Sequence, residues 1–146
     1  MDRALEEVLR RGSIFLWTKY SRLDDPALAG RTKPKFIVIL SSSSHDDPVI
    51  YILTTSEKPK HAGHPFPADL HRVPAGAYPC FVLDTLIDAG DAGQLEIGRD
   101  ELSALYANRT LIYKGSLSQS DVTVLTAKIV ASRRVSRRVK QILTGD

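Results

Sequence analysis

An amphipathic pattern near the C-terminus constrains the fold more than any other feature of the chain. Six apolar residues and one serine recur at intervals of three or four residues. They are Val122, Leu125, Ile129, Ser132, Val135, Val139 and Ile142. This spacing places them on one face of an α-helix. Ser118 followed by Asp121 matches a helix-capping pattern, and Gly145 is typical of a helix end. We therefore predict one long helix over residues 118–143, whose apolar face must pack on the rest of the chain.

Segments rich in β-branched and aromatic residues predict that the rest is mainly β-structure. The predicted strands are residues 13–20, 36–40, 49–55, 80–87 and 110–114, with a short strand at 94–97. The uninterrupted apolar run 36–40 is typical of a strand covered on both faces, and it is expected to form a hairpin with 49–55. The sequence predicts a long loop over residues 56–79, with an extended piece near 66–70. Short helices are predicted at 2–11 and 99–106, so the fold class is α+β.

The length and composition bound the remaining possibilities. With 146 residues and 42% hydrophobic residues, the chain suffices for one domain over 1–146, with residues 1–11 as a helical extension. It contains no apolar run long enough to span a membrane, and the early acids Glu6 and Glu7 argue against a signal peptide. The single cysteine, Cys80, cannot form an internal disulfide. These features predict a cytoplasmic protein without a membrane association.

Positive charge is concentrated in the predicted C-terminal helix. The chain carries a net charge of +3, yet residues 122–145 contain six basic residues and no acid, so the rest is net negative. Arg133, Arg134, Arg137 and Arg138 are spaced to form one charged helix face opposite the apolar one. A patch of this kind attracts nucleic acid or an acidic protein. A solvated helix face is the alternative, but we favour a binding role for the four arginines.

Five short motifs occur in order along the chain. They are Gly-Ser-Ile-Phe-Leu-Trp at 12–17, Lys-Pro-Lys-Phe-Ile-Val-Ile-Leu-Ser at 33–41, Leu-Thr-Thr-Ser at 53–56, Pro-Phe-Pro-Ala-Asp-Leu at 65–70 and Lys-Gly-Ser-Leu-Ser at 114–118. Their order and spacing, from about residue 12 to 143, resemble the MazF/PemK family of toxin–antitoxin toxins. The resemblance implies a small SH3-like β-barrel with a long C-terminal helix. It also implies a homodimer that cleaves single-stranded RNA without a metal or other cofactor and is neutralised by an acidic antitoxin protein.

The resemblance assigns the chemistry to the loops rather than to the C-terminal helix. The family's catalytic residues correspond to Lys33 and to Thr55, or to Thr54 if the alignment shifts by one residue, and Arg31 could assist from the loop. Metal-free RNA cleavage needs a base for the 2′-hydroxyl, a cation over the phosphate oxygens and an acid for the leaving 5′-oxygen. Tyr20, Lys35 and Ser56 are further RNA-binding candidates, with the four arginines as an auxiliary patch.

Two departures from the family pattern leave an alternative open. Gly12-Ser13 stands where the family has Gly-Asp, and Lys33 stands where it has its catalytic arginine. A guanidinium offers a rigid bidentate fork to phosphate, whereas an ammonium is a compact point charge. The alternative is therefore a catalytically weak or inactive barrel of the same kind that binds nucleic acid or protein, and a third is a structural partner whose basic helix docks on an acidic protein.

Several candidates also have ordinary structural interpretations. Lys33 can be a solvated loop residue, and Thr54 and Thr55 are good strand formers on propensity alone. Trp17 is expected in the core, whereas Tyr20 is expected to be exposed and to stack on bases. His61 and His64 have a ligand-like spacing but no matching partner, and Cys80 is expected to be a small core residue. No metal site is therefore predicted.

Overall fold

The computed structural model describes residues 4–21, 32–41 and 47–144. Within these ranges it contains eight strands: β1 (Ser13–Tyr20), β2 (Lys33–Ile39), β3 (Val49–Leu53), β4 (Thr55–Ser56), β5 (Leu70–Val73), β6 (Thr85–Asp88), β7 (Glu96–Ile97) and β8 (Leu111–Ser116). The α-helices of the same ranges are α1 (Leu5–Val8), α2 (Arg99–Ala107), α3 (Gln119–Ala131) and α4 (Arg137–Thr144). The predicted α+β class is confirmed.

The strands form two antiparallel sheets. The larger sheet has the order β7-β3-β2-β1-β8, and the smaller one has the order β4-β6-β5. The predicted hairpin is confirmed by the pairing of β2 with β3, in which Val38 lies opposite Ile52. β3 and β4 are separated only by Thr54, so this one stretch of chain leaves the first sheet and enters the second.

The larger sheet is covered on both faces, as the apolar run in β2 predicts. Side chains alternate across a strand, so Ile37 and Ile39 point to one face and Val38 to the other. Ile37 and Ile39 pack in a cluster with Phe15, whereas Val38 packs in a second cluster with Ile14. The second cluster contains Leu125 and Ile129 of α3, and this explains why the C-terminal region needs an apolar face.

The predicted C-terminal helix is wrong as a single element, because it is interrupted between α3 and α4. Its start is confirmed, since the Ser118 hydroxyl accepts a hydrogen bond from the Asp121 N–H at 3.1 Å. At Ser132 the backbone turns extended, and the Ser132 hydroxyl donates to Asp69 at 2.8 Å while accepting from the Arg134 N–H at 3.2 Å. Side-chain hydrogen bonds of this kind compete with the helical ones and end the helix.

The strand predicted at 80–87 begins later than expected, at Thr85. Residues 74–84 instead form a compact loop, here called the β5–β6 loop. The Asp84 side chain at its end binds back to residues at or just before its start. One oxygen of Asp84 accepts from the Ala75 N–H at 2.8 Å, and the other accepts from Arg72 at 2.7 Å. The region predicted as a long loop also contains β5, which starts at the residue where the extended piece was expected to end.

A cluster of charges anchors the segment between α3 and α4 to the smaller sheet. The Arg134 guanidinium binds Asp69 at 2.9 Å, also pairs with Asp88, and lies 4.8 Å from the centre of the Phe66 ring. Burial alone would raise the pKa of Asp88, but hydrogen bonds from Arg134, His64 and the Gly90 N–H lower it. Asp88 is therefore ionised and holds Arg134 in place. We call Arg134, Asp69 and Asp88 the Arg134 cluster.

The cluster predicts unequal roles for two adjacent arginines. Arg134→Ala leaves Asp69 and Asp88 without their cation and should lower the free energy of unfolding by about 2–4 kcal/mol. Arg133→Ala, at an exposed neighbouring position, should change it by less than about 0.5 kcal/mol. Urea unfolding of the two variants measures this difference, and equal losses would contradict the assignment.

Candidate functional site

A cleft of about 250 Å³ opens where the two sheets meet, between the start of β2, the β3–β4 segment and the β5–β6 loop. Its lining is Lys33, Pro34, Lys35, Phe36, Thr54, Thr55, Ser56, Lys58, Cys80, Phe81, Val82, Leu83 and Thr85. We call it the lysine cleft. It brings together candidates that lie far apart in the sequence, because β2 supplies one side and β4 the other.

The predicted catalytic residues Lys33, Thr54 and Thr55 all line the lysine cleft, as do Lys35 and Ser56. The two threonines differ in environment. Thr54 is 5% exposed, and both its N–H and its hydroxyl donate to the carbonyl of Phe36 at 3.1 Å. Thr55 is half-buried, and its hydroxyl makes no hydrogen bond with the described residues. Thr54 therefore has a structural role, and Thr55 is the threonine with a hydroxyl available to a ligand.

The lysine cleft carries a concentrated positive charge. Lys33 and Lys58 are exposed, and neither forms an ion pair with any described residue. The described lining includes hydroxyl groups from Thr55 and Ser56 but neither a carboxylate nor an imidazole. Ammonium and hydroxyl groups around a shared cavity favour an anionic ligand such as a phosphodiester.

Two acids, Glu57 and Asp84, lie close to the lysine cleft and share one arginine. Arg72 pairs with Glu57 at 3.3 Å and with Asp84 at 2.7 Å. The Ala75 N–H, together with the charge of Arg72 and its hydrogen bond, holds the pKa of Asp84 below its usual value. Arg72 offsets only one of the two negative charges, and Lys33 together with Lys58 still leaves the lysine cleft net positive.

The far wall of the lysine cleft depends on a partly buried hydrogen-bond network that the sequence did not predict. The Tyr78 hydroxyl donates to Asp121 and accepts from the Ser118 N–H at 2.7 Å, and Asp121 also binds His71 at 3.0 Å. These contacts join the β5–β6 loop to the start of α3. Burial and the hydrogen bond to Asp121 raise the pKa of Tyr78. Tyr78 is 40 residues from Ser118, so no local sequence pattern could identify this network.

Aromatic contacts connect the Tyr78 network to the lining of the lysine cleft. Phe81 packs edge-on against Phe36 at a ring distance of 5.5 Å, and against Tyr78 at 6.0 Å. The next two residues, Val82 and Leu83, are 78% and 59% exposed. These two apolar side chains lie at the rim of a cationic cleft. A ligand with a negative charge and an apolar surface would contact the lysines with the first and Val82 and Leu83 with the second.

Cys80 lines the lysine cleft but is not activated as a nucleophile. The sequence predicts Cys80 as a small core residue, and the structure places it partly buried at the edge of the core, against which it packs. Burial raises the pKa of its thiol, and the nearby Lys114 offsets this only in part. A thiol with a raised pKa stays protonated at neutral pH and is a poor nucleophile.

The prediction that Tyr20 is an exposed, base-stacking ring is wrong. Tyr20 is fully buried, its hydroxyl lies 2.9 Å from that of Tyr51, and its ring packs edge-on against Trp17 at 4.8 Å. A buried hydroxyl must find a hydrogen-bond partner, and Tyr51 supplies it from β3. The core position predicted for Trp17 is confirmed.

The four C-terminal arginines do not form one helix face. Arg137 and Arg138 begin α4, Arg133 lies in the connection before it, and all three are exposed. Arg134 belongs to the Arg134 cluster, so its guanidinium is occupied by carboxylates and is withheld from phosphate. The auxiliary patch is thus reduced to three arginines. Arg31, predicted to assist Lys33, lies outside the described residues.

The two histidines with ligand-like spacing have separate partners. His61 accepts a hydrogen bond from the Lys58 N–H at 2.8 Å, and His64 binds Asp88 at 2.8 Å. Within residues 4–21, 32–41 and 47–144, no group of three or more histidine, cysteine or acidic side chains could hold a metal ion.

Comparison with known proteins adds no family assignment. No protein-family model matches the chain, and no curated protein sequence matches it significantly. The similarity to MazF/PemK toxins therefore stays a prediction. Among the described helices, none has the length and apolarity needed to cross a lipid bilayer.

The Tyr78 network makes a testable contribution to the lysine cleft. Tyr78→Phe removes the hydroxyl that joins Asp121 to the Ser118 N–H, and it should lower the free energy of unfolding by about 1–3 kcal/mol. Tyr113→Phe is a matched control, because the Tyr113 hydroxyl bonds Ser116 at an exposed site and its loss should cost less than about 0.5 kcal/mol. Denaturant unfolding compares the variants, and an unchanged stability of Tyr78→Phe would contradict the role of the network.

Proposed function

We propose that the chain is an endoribonuclease of the MazF/PemK kind, which binds single-stranded RNA in the lysine cleft and cleaves it without a metal. In this proposal the two sheets, joined through β3 and β4, form the SH3-like barrel of that family. The observation that carries the proposal is the convergence of Lys33 and Thr55 on one cationic cleft. The sequence resemblance selected these two residues, and the fold independently brings them to the same cavity.

The residues of the lysine cleft suit the binding of a phosphodiester. Lys33 and Lys58 supply the charge that attracts the backbone, while the hydroxyls of Thr55 and Ser56 can donate to phosphate oxygens. The exposed side chains of Val82 and Leu83 offer apolar contact to the sugar or base next to the bound phosphate. Single-strand binders combine a charged groove with aromatic side chains on which bases stack, and the aliphatic Val82 and Leu83 would take that place here.

The cleavage step is an attack of the RNA 2′-oxygen on the neighbouring phosphorus. In this step the 2′-hydroxyl gives its proton to solvent water, the 2′-oxygen–phosphorus bond forms as the bond from phosphorus to the 5′-oxygen breaks, and the 5′-oxygen takes a proton from water, giving a 2′,3′-cyclic phosphate and a 5′-hydroxyl. Lys33 would stabilise the charge that grows on the non-bridging oxygens, with Thr55 donating a hydrogen bond. Lys33 is a less complete partner for that charge than the arginine of the family, because it lacks the bidentate fork.

Binding without cleavage is the second candidate function. It is favoured by the described lining of the lysine cleft, which offers cations and hydroxyls but no carboxylate or imidazole to take the 2′-hydroxyl proton. The two functions share the lysine cleft and the ligand, and they differ only in whether the phosphodiester bond breaks.

We further propose a homodimer and an acidic antitoxin protein as partners. The lysine cleft would attract an acidic segment by the same potential that attracts RNA, and Val82 and Leu83 at its rim would contact apolar residues of that segment. A small neighbouring gene that encodes an acidic protein would support this partner, and the mass of the purified protein in solution tests the dimer.

The first prediction concerns binding. Affinity for a short single-stranded RNA should fall as salt rises, because bound counterions are released from the phosphates. Lys33→Ala and Lys58→Ala should each weaken binding and reduce the log–log salt slope by about 0.7 for each lost phosphate contact. Lys19→Ala, an exposed lysine outside the cleft, is the control and should leave both values unchanged. Equal effects of all three variants would place the RNA elsewhere.

The second prediction concerns cleavage. In buffer with a chelator, the protein should convert RNA to fragments with 2′,3′-cyclic phosphate ends. Lys33→Ala should lower the rate by about 100-fold or more, since it removes the cation over the reacting phosphate. Lys33→Arg should retain or increase the rate, because it restores the bidentate fork. RNA that is bound but left intact by both the protein and Lys33→Arg would favour the binding module over the nuclease.

A further inference from the structure

A second cavity lies next to the lysine cleft and shares Lys58 with it. It measures about 440 Å³ and is lined by Glu57, Lys58, His61, Ala62, Leu70 and Leu86. We call it the side pocket. Because one lysine borders both cavities, an RNA strand with a phosphate in the lysine cleft would have an adjacent base within reach of the side pocket.

The walls of the side pocket suit a flat, partly apolar group with a polar edge. Leu86, on β6, is buried and Leu70, at the start of β5, is half-buried, so both present apolar surface. Glu57, Lys58 and His61 add charged and hydrogen-bonding groups around them. A few polar groups around an apolar surface are the usual composition of a pocket that orients a small ring system.

The hydrogen bonds already present fix what the polar groups of the side pocket can offer. The Lys58 N–H donates to Nδ1 of His61 at 2.8 Å, so Nδ1 is unprotonated and the neutral ring carries its proton on Nε2. His61 is therefore a donor at Nε2. Arg72 Nε lies 3.3 Å from one oxygen of Glu57 and 3.4 Å from the other, and each carboxylate oxygen retains a lone pair for a second partner.

A carboxylate acceptor together with an imidazole donor matches one base better than the others. Guanine presents two adjacent donors, N1–H and the N2 amino group, which a single carboxylate can accept together, and its O6 accepts a hydrogen bond. Uracil offers one such donor and cytosine and adenine offer a single amino group, so none of them fills both carboxylate oxygens from one edge. We propose that the side pocket binds a guanine base of the RNA strand, an inference that rests on the proposed RNA binding in the lysine cleft.

The test compares short oligouridines that carry one central guanosine, inosine, adenosine or cytidine, with binding followed by fluorescence anisotropy. The guanosine oligomer should bind about tenfold more tightly than the all-uridine one, as expected for a bidentate base contact. Inosine lacks only the N2 amino group and should lie between the two. This comparison needs no variant of the protein.

Variants then locate the preference. Glu57→Gln should reduce the guanosine preference to within about twofold, because an amide has only one acceptor oxygen. Arg72→Ala breaks the same ion pair but keeps the carboxylate, so the preference should persist. Glu7→Gln, at an exposed glutamate on α1, is the matched control and should change nothing.

The outcomes separate this inference from the proposed function. If all oligomers bind equally tightly, or if Glu57→Gln keeps the full guanosine preference, the guanine site is overturned while RNA binding in the lysine cleft stands. If no oligomer binds at any salt concentration, the proposed function fails and the inference fails with it.

Discussion

The carbonyl oxygen of Phe36 is the point on which the architecture depends. It accepts two hydrogen bonds from Thr54, one from the N–H and one from the hydroxyl, and it thereby ties the middle of β2 to the residue between β3 and β4. The chain crosses from one sheet to the other at this residue. The same pair of contacts brings the two lysines of β2 and the hydroxyls of β4 to one cavity, so the lysine cleft forms at the junction of the sheets.

The parts of the fold that the sequence predicts are those set by neighbouring residues. β1, β2 and β3 follow from apolar runs, and the start of α3 follows from the local Ser118–Asp121 pattern. The errors arise where a distant residue decides. The break after α3 depends on Asp69, which is 63 residues from Ser132, and the burial of Tyr20 depends on Tyr51, which is 31 residues away. Neither partner can be identified before the sheets are assembled.

The residues of the candidate site also fall into those that the sequence predicts and those that only the fold reveals. Lys33 and Thr55 were found because they lie in motifs that resemble a known family, and the choice between Thr54 and Thr55 required the hydrogen bonds to Phe36. Lys58 and the β5–β6 loop were missed, because exposed lysines are ordinary and the apolar residues 81–83 look like part of a strand. Residues 81–83 are seen to line a cationic cleft only in the folded chain.

The basic end of the chain and the lysine cleft are rival surfaces for RNA, and the Arg134 cluster weakens the first of them. Nuclear magnetic resonance titration of the isotope-labelled protein with a short single-stranded RNA tests the central claim most directly. We predict shifts of the backbone amides of Lys33, Lys35 and Phe36 and of residues 54–58 and 80–85. Shifts confined to residues 133–138, with the lysine cleft unaffected, would contradict the account.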